Sequence, residues 1–136
     1  MANLVVDTSV WIDFFRGRLS PGMLDLLGEG IRQRTIALTD VIRHEILVGA
    51  RSEQDFNFLK HHLVPFECLR ILEHDLESFD RFAWRLHRKG LTGKYTDLSI
   101  AFLCQIYDLP IMTFDGYFGR LSGQGIIRSL SSWGGR

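Results

Sequence analysis

Two short apolar runs, each closed by a carboxylate, constrain this 136-residue chain more than any other feature. Leu4, Val5 and Val6 run directly into Asp7, and Ile111 to Phe114, apolar but for Thr113, run into Asp115. Continuous apolar runs this short read as strands buried on both faces, the kind found in parallel sheets covered by helices. A carboxylate at the end of such a strand is partly desolvated, and that is costly without a partner. Parallel α/β sheets also bind their ligands beyond the carboxyl ends of their strands, so Asp7 and Asp115 are expected on one functional edge.

Between the two runs the spacing changes to the helical period. Val10, Trp11, Phe14 and Phe15 recur at helical intervals up to Gly17, and Pro21 opens a second helix toward Gly28 or Gly30. Thr35 to Leu38 is a brief strand, and Asp40 is placed to cap a helix carrying Val41, Ile42, Glu45 and Ile46. Phe56, Leu59 and Leu63 mark a helix before Pro65, and Phe66 to Leu72 reads as a strand with polar interruptions, with helix as the alternative. Leu76 to Leu86 forms an amphipathic helix stopped at Gly90; Thr96 is placed to cap a further helix through Cys104, and Pro110 ends it. Ile126 and Ile127 suggest a last strand, and 129–136 reads as a loose tail. No hairpin signature separates neighbouring strands, so the expected architecture is one α/β domain over 1–136 with a mostly parallel sheet covered by helices.

Two more acids fall on the helices. Glu45 has Gly49 four residues on, and Asp97 has Ala101, so each carboxylate is followed on its own face by a small residue that leaves room for a ligand. Ordinary roles compete with this reading. Asp97 gains from the helix dipole in a first turn, Gly49 serves as a helix cap, and Asp115 starts a turn with Gly116. If all four acids converge, their repulsion becomes decisive: two like charges about 4 Å apart repel by roughly 4 kcal/mol at an effective dielectric of 20. Raised carboxyl pKa values or a hard divalent cation must relieve it, and an all-oxygen set favours Mg²⁺ or Mn²⁺ over Zn²⁺.

The segments VVDTSVWIDFF, HEILVG, TDLSIA and MTFDGYF resemble, in order and spacing, the PIN-domain nucleases, and within them the VapC-like toxins of toxin–antitoxin pairs. The resemblance spans nearly the whole chain. It matches Asp7, Glu45, Asp97 and Asp115 to the family's catalytic, metal-holding acids, and Ser9 and Thr113 to hydroxyls that support the metal site. One departure is Tyr95, which stands where many relatives carry a further acid. The resemblance implies a three-layer α/β/α fold, Mg²⁺- or Mn²⁺-dependent endonucleolytic cleavage of RNA, a homodimer, and a small VapB-like antitoxin that blocks the site. With a metal bound by Asp7, Asp97 and Glu45, water of lowered pKa would attack phosphorus in line.

Sixteen basic residues balance sixteen acidic ones, so any attraction for RNA must be local. No acid lies between Arg81 and Thr96, and Arg81, Arg85, Arg88, Lys89 and Lys94 fall there as a candidate RNA-binding strip; an ordinary solvated helix face is the competing reading. The five histidines show no paired metal spacing, and His44 beside Glu45 is the one worth testing. Cys68 and Cys104 sit in apolar runs and read as buried free thiols of a cytoplasmic protein. The apolar amino terminus lacks the basic segment and cleavage pattern of a signal peptide, and no run is long enough to span a membrane. Trp11, Phe14 and Phe15 are expected in the core rather than as base-stacking platforms. Two other classes remain, a receiver- or phosphatase-like α/β domain and a non-catalytic interaction module. Ser9 occupies the place where the first of these usually has a second acid.

Overall fold

A computed structural model describes residues 1–130. Along them run β1 (Leu4–Val6), α1 (Thr8–Phe15), α2 (Pro21–Gln33), β2 (Ile36–Thr39), α3 (Asp40–Val48), α4 (Glu53–Leu63) and β3 (Glu67–Leu69). A 3-10 turn at Glu73–Asp75 then leads into α5 (Leu76–Arg88), followed by α6 (Tyr95–Ile106), β4 (Ile111–Met112), α7 (Gly116–Gly123) and β5 (Ser129–Leu130). The five strands form one sheet in the order β3-β2-β1-β4-β5, every pair parallel. Strand β1 lies at the centre: the chain adds β2 and β3 on one side of it, then β4 and β5 on the other. That reversal makes the gap between β1 and β4 the switch point, beyond whose carboxyl ends an α/β sheet opens a crevice.

The apolar runs explain why the sheet is central. Val5, Val6, Ala37, Leu38, Ile111 and Met112 are all fully buried, and helices flank the sheet they form. The stripe on α1 is core as expected: Trp11 is buried and its ring packs against Phe14, Phe15 and Phe66 at centroid distances of 6.0, 5.8 and 5.6 Å. Phe79 and Phe82 of α5 meet Phe102 of α6, joining those two helices. Gly30 on α2 packs so tightly on β2 that an added Cβ would stand 2.8 Å from Cγ1 of Ile36.

Several boundaries differ from the sequence expectation for identifiable reasons. Thr39, not Asp40, caps α3: its hydroxyl is fully buried and accepts the Ile42 amide at 3.1 Å, while Asp40 is already helical. Helix α6 begins at Tyr95 rather than after Thr96, with Lys94 in the cap position and no side chain capping it. The expected strand Phe66 to Leu72 shortens to three residues on the sheet edge, where only Leu69 is buried. Gly116–Gly123 is a helix although three glycines weaken its propensity, because Tyr117, Phe118 and Leu121 are buried in the core. Burying Phe118 and Leu121 is worth roughly 1.5–3 kcal/mol each, more than glycine costs there. The last strand is Ser129–Leu130 rather than Ile126 and Ile127, so the first two residues of the expected tail belong to the sheet. The rest of that tail, 131–136, lies outside the described residues. Cys104 is buried, but Cys68 on the edge strand is exposed. Among the described residues no helix is long and apolar enough to cross a membrane.

Candidate functional site

Asp7 follows β1 and Thr113 to Asp115 follow β4, so both sit at the switch point between these paired strands. Asp7 is 7% exposed, and its two oxygens are held from three directions. Oδ1 accepts the Thr8 amide at 2.8 Å, where Asp7 caps α1; Oδ2 accepts the Thr113 hydroxyl at 2.8 Å and, at the outer limit of a hydrogen bond, that of Ser9 at 3.5 Å. Thr113 is fully buried, and its oxygen in turn accepts the Asp115 amide at 2.9 Å. One hydroxyl thus fixes both the carboxylate ending β1 and the backbone of the acid beyond β4.

The other acids arrive from separate helices. Glu45, exposed on α3, accepts the Thr8 hydroxyl at 2.7 Å, which ties it to the residue beside Asp7. Asp97, half-buried, stands in the first turn of α6. Asp115, exposed, caps α7 by accepting the Tyr117 amide at 2.9 Å. The competing reading of Asp115 as the start of a turn therefore becomes a helix cap, a role in which, among the described residues, only Oδ1 accepts a hydrogen bond. Gly49 is the C-terminal cap of α3, where a Cβ would meet nothing closer than 3.5 Å.

These four carboxylates share one electrostatic field. Burial, reinforced by the charges of Glu45 and Asp115, pushes the Asp7 carboxyl up to about 6 against the lowering effect of the Thr113 hydroxyl and the Thr8 amide. Burial followed by the charge of Asp115 also raises Asp97; Lys94 opposes this and Glu45 adds to it. Among the described residues none of the four acids forms an ion pair with a lysine, arginine or histidine. The cluster holds more negative charge than its protein neighbours neutralise.

A model of the PIN domain family matches residues 4–124. The chain is a PIN domain. No curated protein matches it. Among solved structures, the DNA-bound VapBC of Salmonella typhimurium contains a chain similar to this one with a TM-score of 0.78 at 18% identity, over 96% of this chain and 98% of that one. The VapBC2 structure of Rickettsia felis, bound to a DNA fragment from its promoter, gives a TM-score of 0.76 at 17% identity over 94% and 97%. VapBC-5 from Mycobacterium tuberculosis, a member of the VapBC family of toxin–antitoxin systems, gives 0.65 at 22% identity over 96% and 99%. At such identities the likeness is one of fold, and the structural neighbours are toxin–antitoxin proteins.

The PIN fold is typical of nucleases, and PIN domains typically depend on metal. The donor set here suits a hard cation, being all oxygen with two carboxyls whose pKa values are raised. Among the described residues, however, no three His, Cys, Asp or Glu side chains stand where they could hold a metal ion together. Mg²⁺ asks for less than that, since it commonly keeps several waters and takes one or two carboxylates plus substrate phosphate.

Other features of this PIN domain escape the sequence reading. Thr8 and Tyr117 are both bonded to acids of the cluster, and neither stands out as a motif. The signals were an added hydroxyl directly after Asp7 and a tyrosine in a core-facing stretch, whose O–H needs a partner once buried. Tyr95 is 68% exposed, its ring set edgewise against Phe79. Arg81, Arg85, Arg88, Lys89 and Lys94 are all exposed, but they do not act alike. Arg81 pairs with Glu77 and Arg88 lies over the Trp84 ring, as on an ordinary solvated face. Of the five, only Lys94 exerts a resolved field on an acid of the cluster.

Proposed function

We propose that this PIN domain is a Mg²⁺- or Mn²⁺-dependent endoribonuclease and the toxin of a toxin–antitoxin pair. The observation that carries the reading is a buried carboxyl, Asp7, pushed up to about 6 within the field of Glu45 and Asp115. Carboxylates left mutually repelling and, among the described residues, without an ion-pair partner are an arrangement a divalent cation relieves.

Of Asp7, Asp97, Glu45 and Asp115, one or two would hold the cation directly and the others would act through its waters and their charge. When bound, it would supply an activated water and offset charge on the phosphate under attack. The chain's own residues do the positioning. Thr113, Ser9 and the Thr8 amide aim the Asp7 oxygens, and the Thr8 hydroxyl fixes Glu45. The start of α6 has no side-chain cap and carries Lys94 beside Asp97, so amide dipoles and an ammonium group are both available to a backbone phosphate entering an otherwise acidic pocket. Arg81, Arg85, Arg88 and Lys89 would extend that attraction along the RNA.

The antitoxin partner is supported by a cavity of about 430 Å³ between α1, α3 and α4, lined by Ile12, Phe15, Ile46 and Leu59 with Arg16, Arg51 and Asp55. An amphipathic segment laid on this apolar surface would sit beside the helix carrying Glu45. A homodimer belongs to the same reading.

The test is cleavage of RNA, DNA and a phosphomonoester, each with Mg²⁺ and with excess chelator. Cleavage of RNA alone, lost with chelator and in Asp97→Asn, is expected. Turnover of the phosphomonoester alone would favour a phosphatase-like domain, and no turnover of any substrate would favour an interaction module.

A further inference from the structure

Tyr117 joins Asp115 to the loop that precedes Asp97. Its backbone amide donates to Oδ1 of Asp115 at 2.9 Å, and its hydroxyl donates to the Leu91 carbonyl at 2.9 Å, in the loop that leads into α6. The ring between these bonds is 7% exposed, and Arg120 covers it at 5.3 Å. Gly93 in the same loop lies directly against it: an added Cβ would fall 2.6 Å from the ring carbon bearing the hydroxyl and 2.9 Å from the oxygen. Gly93 has no positive φ, so the need there is for space rather than backbone freedom. The next residue is Lys94 and the helix it opens carries Asp97, whose charge is felt at the phenol.

No side chain caps α6, so no local side-chain bond fixes its starting point. We propose that Tyr117 is a positioning residue: clamped over Gly93 and bonded to Leu91, it sets where Asp97 and Lys94 stand relative to Asp115, and so sets the affinity of the acidic cluster for its divalent cation. The inference rests on the nuclease reading above. Asp115 and Asp97 come from elements that the chain connects only through α6, β4 and the turns between them; the tyrosine supplies a direct tie.

The test uses the full chain, with Mn²⁺ binding measured in the absence of RNA, hydrogen exchange over 91–97, and RNA cleavage as a function of Mn²⁺. Tyr117→Phe removes only the hydroxyl and keeps the buried ring; Gly93→Ala keeps the hydroxyl but displaces the ring. Both should exchange faster over 91–97 and bind Mn²⁺ roughly tenfold more weakly, the lower end of what outer-shell changes cost a metal site. In Tyr117→Phe, saturating Mn²⁺ should restore cleavage to near the unmodified rate. That recovery is not expected if the substitution merely loosens the fold. Unmodified exchange in Tyr117→Phe, or faster exchange with unmodified Mn²⁺ affinity, would overturn the proposal while the nuclease reading stood. Should the unmodified protein itself neither bind Mn²⁺ nor cleave RNA, both fall together, a pattern distinct from the other two.

Discussion

Replacing Asp7 by Asn should stabilise the metal-free protein at neutral pH and have little effect in acid. Burial and the neighbouring charges of Glu45 and Asp115 lift the Asp7 carboxyl from an ordinary 3.8 to about 6. Each tenfold change in acidity is worth about 1.4 kcal/mol, so the ionised form costs about 3 kcal/mol in the folded protein relative to the unfolded chain. The sign follows from which state holds the proton more tightly. Below pH 4 both states are protonated and the group contributes no penalty. From about pH 4 to about pH 6 the unfolded chain ionises first, and stability falls; above that range the loss is complete.

Asparagine keeps the shape and still accepts the Thr8 amide; its amide nitrogen, like the protonated oxygen of the carboxyl form, faces the Thr113 oxygen and does not accept that hydroxyl, so comparing the two across pH isolates the charge. Urea denaturation in chelator, run from pH 4 to pH 8, should therefore show the variant gaining on the unmodified protein by about 3 kcal/mol across that interval, roughly a hundredfold in the unfolding equilibrium. Added Mg²⁺ should close much of the gap at pH 8 by stabilising the unmodified protein, while cleavage by the variant is abolished. A difference between the two proteins that does not change with pH would refute the reasoning, because it would mean that Asp7 is not held against its charge.

Thr113→Val leaves the Asp115 amide without its acceptor and Asp7 without its shortest hydroxyl donor, and should cost about 1–3 kcal/mol in urea denaturation, with Thr113→Ser recovering most of it. Gly30→Ala should destabilise by about 1–3 kcal/mol, since its Cβ must push the buried Ile36 side chain off β2. Replacing Arg85 and Arg88 together by alanine should weaken single-stranded RNA binding and flatten the slope of log affinity against log salt by about 1.4; an unchanged slope would return α5 to an ordinary solvated face.

The sequence carried much of this because its strongest signals are local. An apolar run ending in an acid, a 3.6-residue stripe, and proline before a helix each depend on neighbours within a few residues, and they placed β1, α1, α2, α5 and the acids at the strand ends. Four segments together also carried the resemblance to PIN domains, which the family match over 4–124 established. Boundaries were less legible where tertiary burial outweighed propensity. Helix α7 forms despite its glycines because Phe118 and Leu121 enter the core, and Thr39 caps α3 because its buried hydroxyl reaches the Ile42 amide while Asp40 is already helical.

Only the tertiary structure decided how the acids come within one another's field. Asp7, Glu45, Asp97 and Asp115 are far apart along the chain, and their mutual field exists because the chain reverses direction across the sheet at β1 and β4. The same is true of the ties that hold them: Thr8 to Glu45, Thr113 to Asp7, and Tyr117 to Leu91. Residue type alone says that a hydroxyl needs a partner; which partner it finds depends on distances that no local pattern encodes.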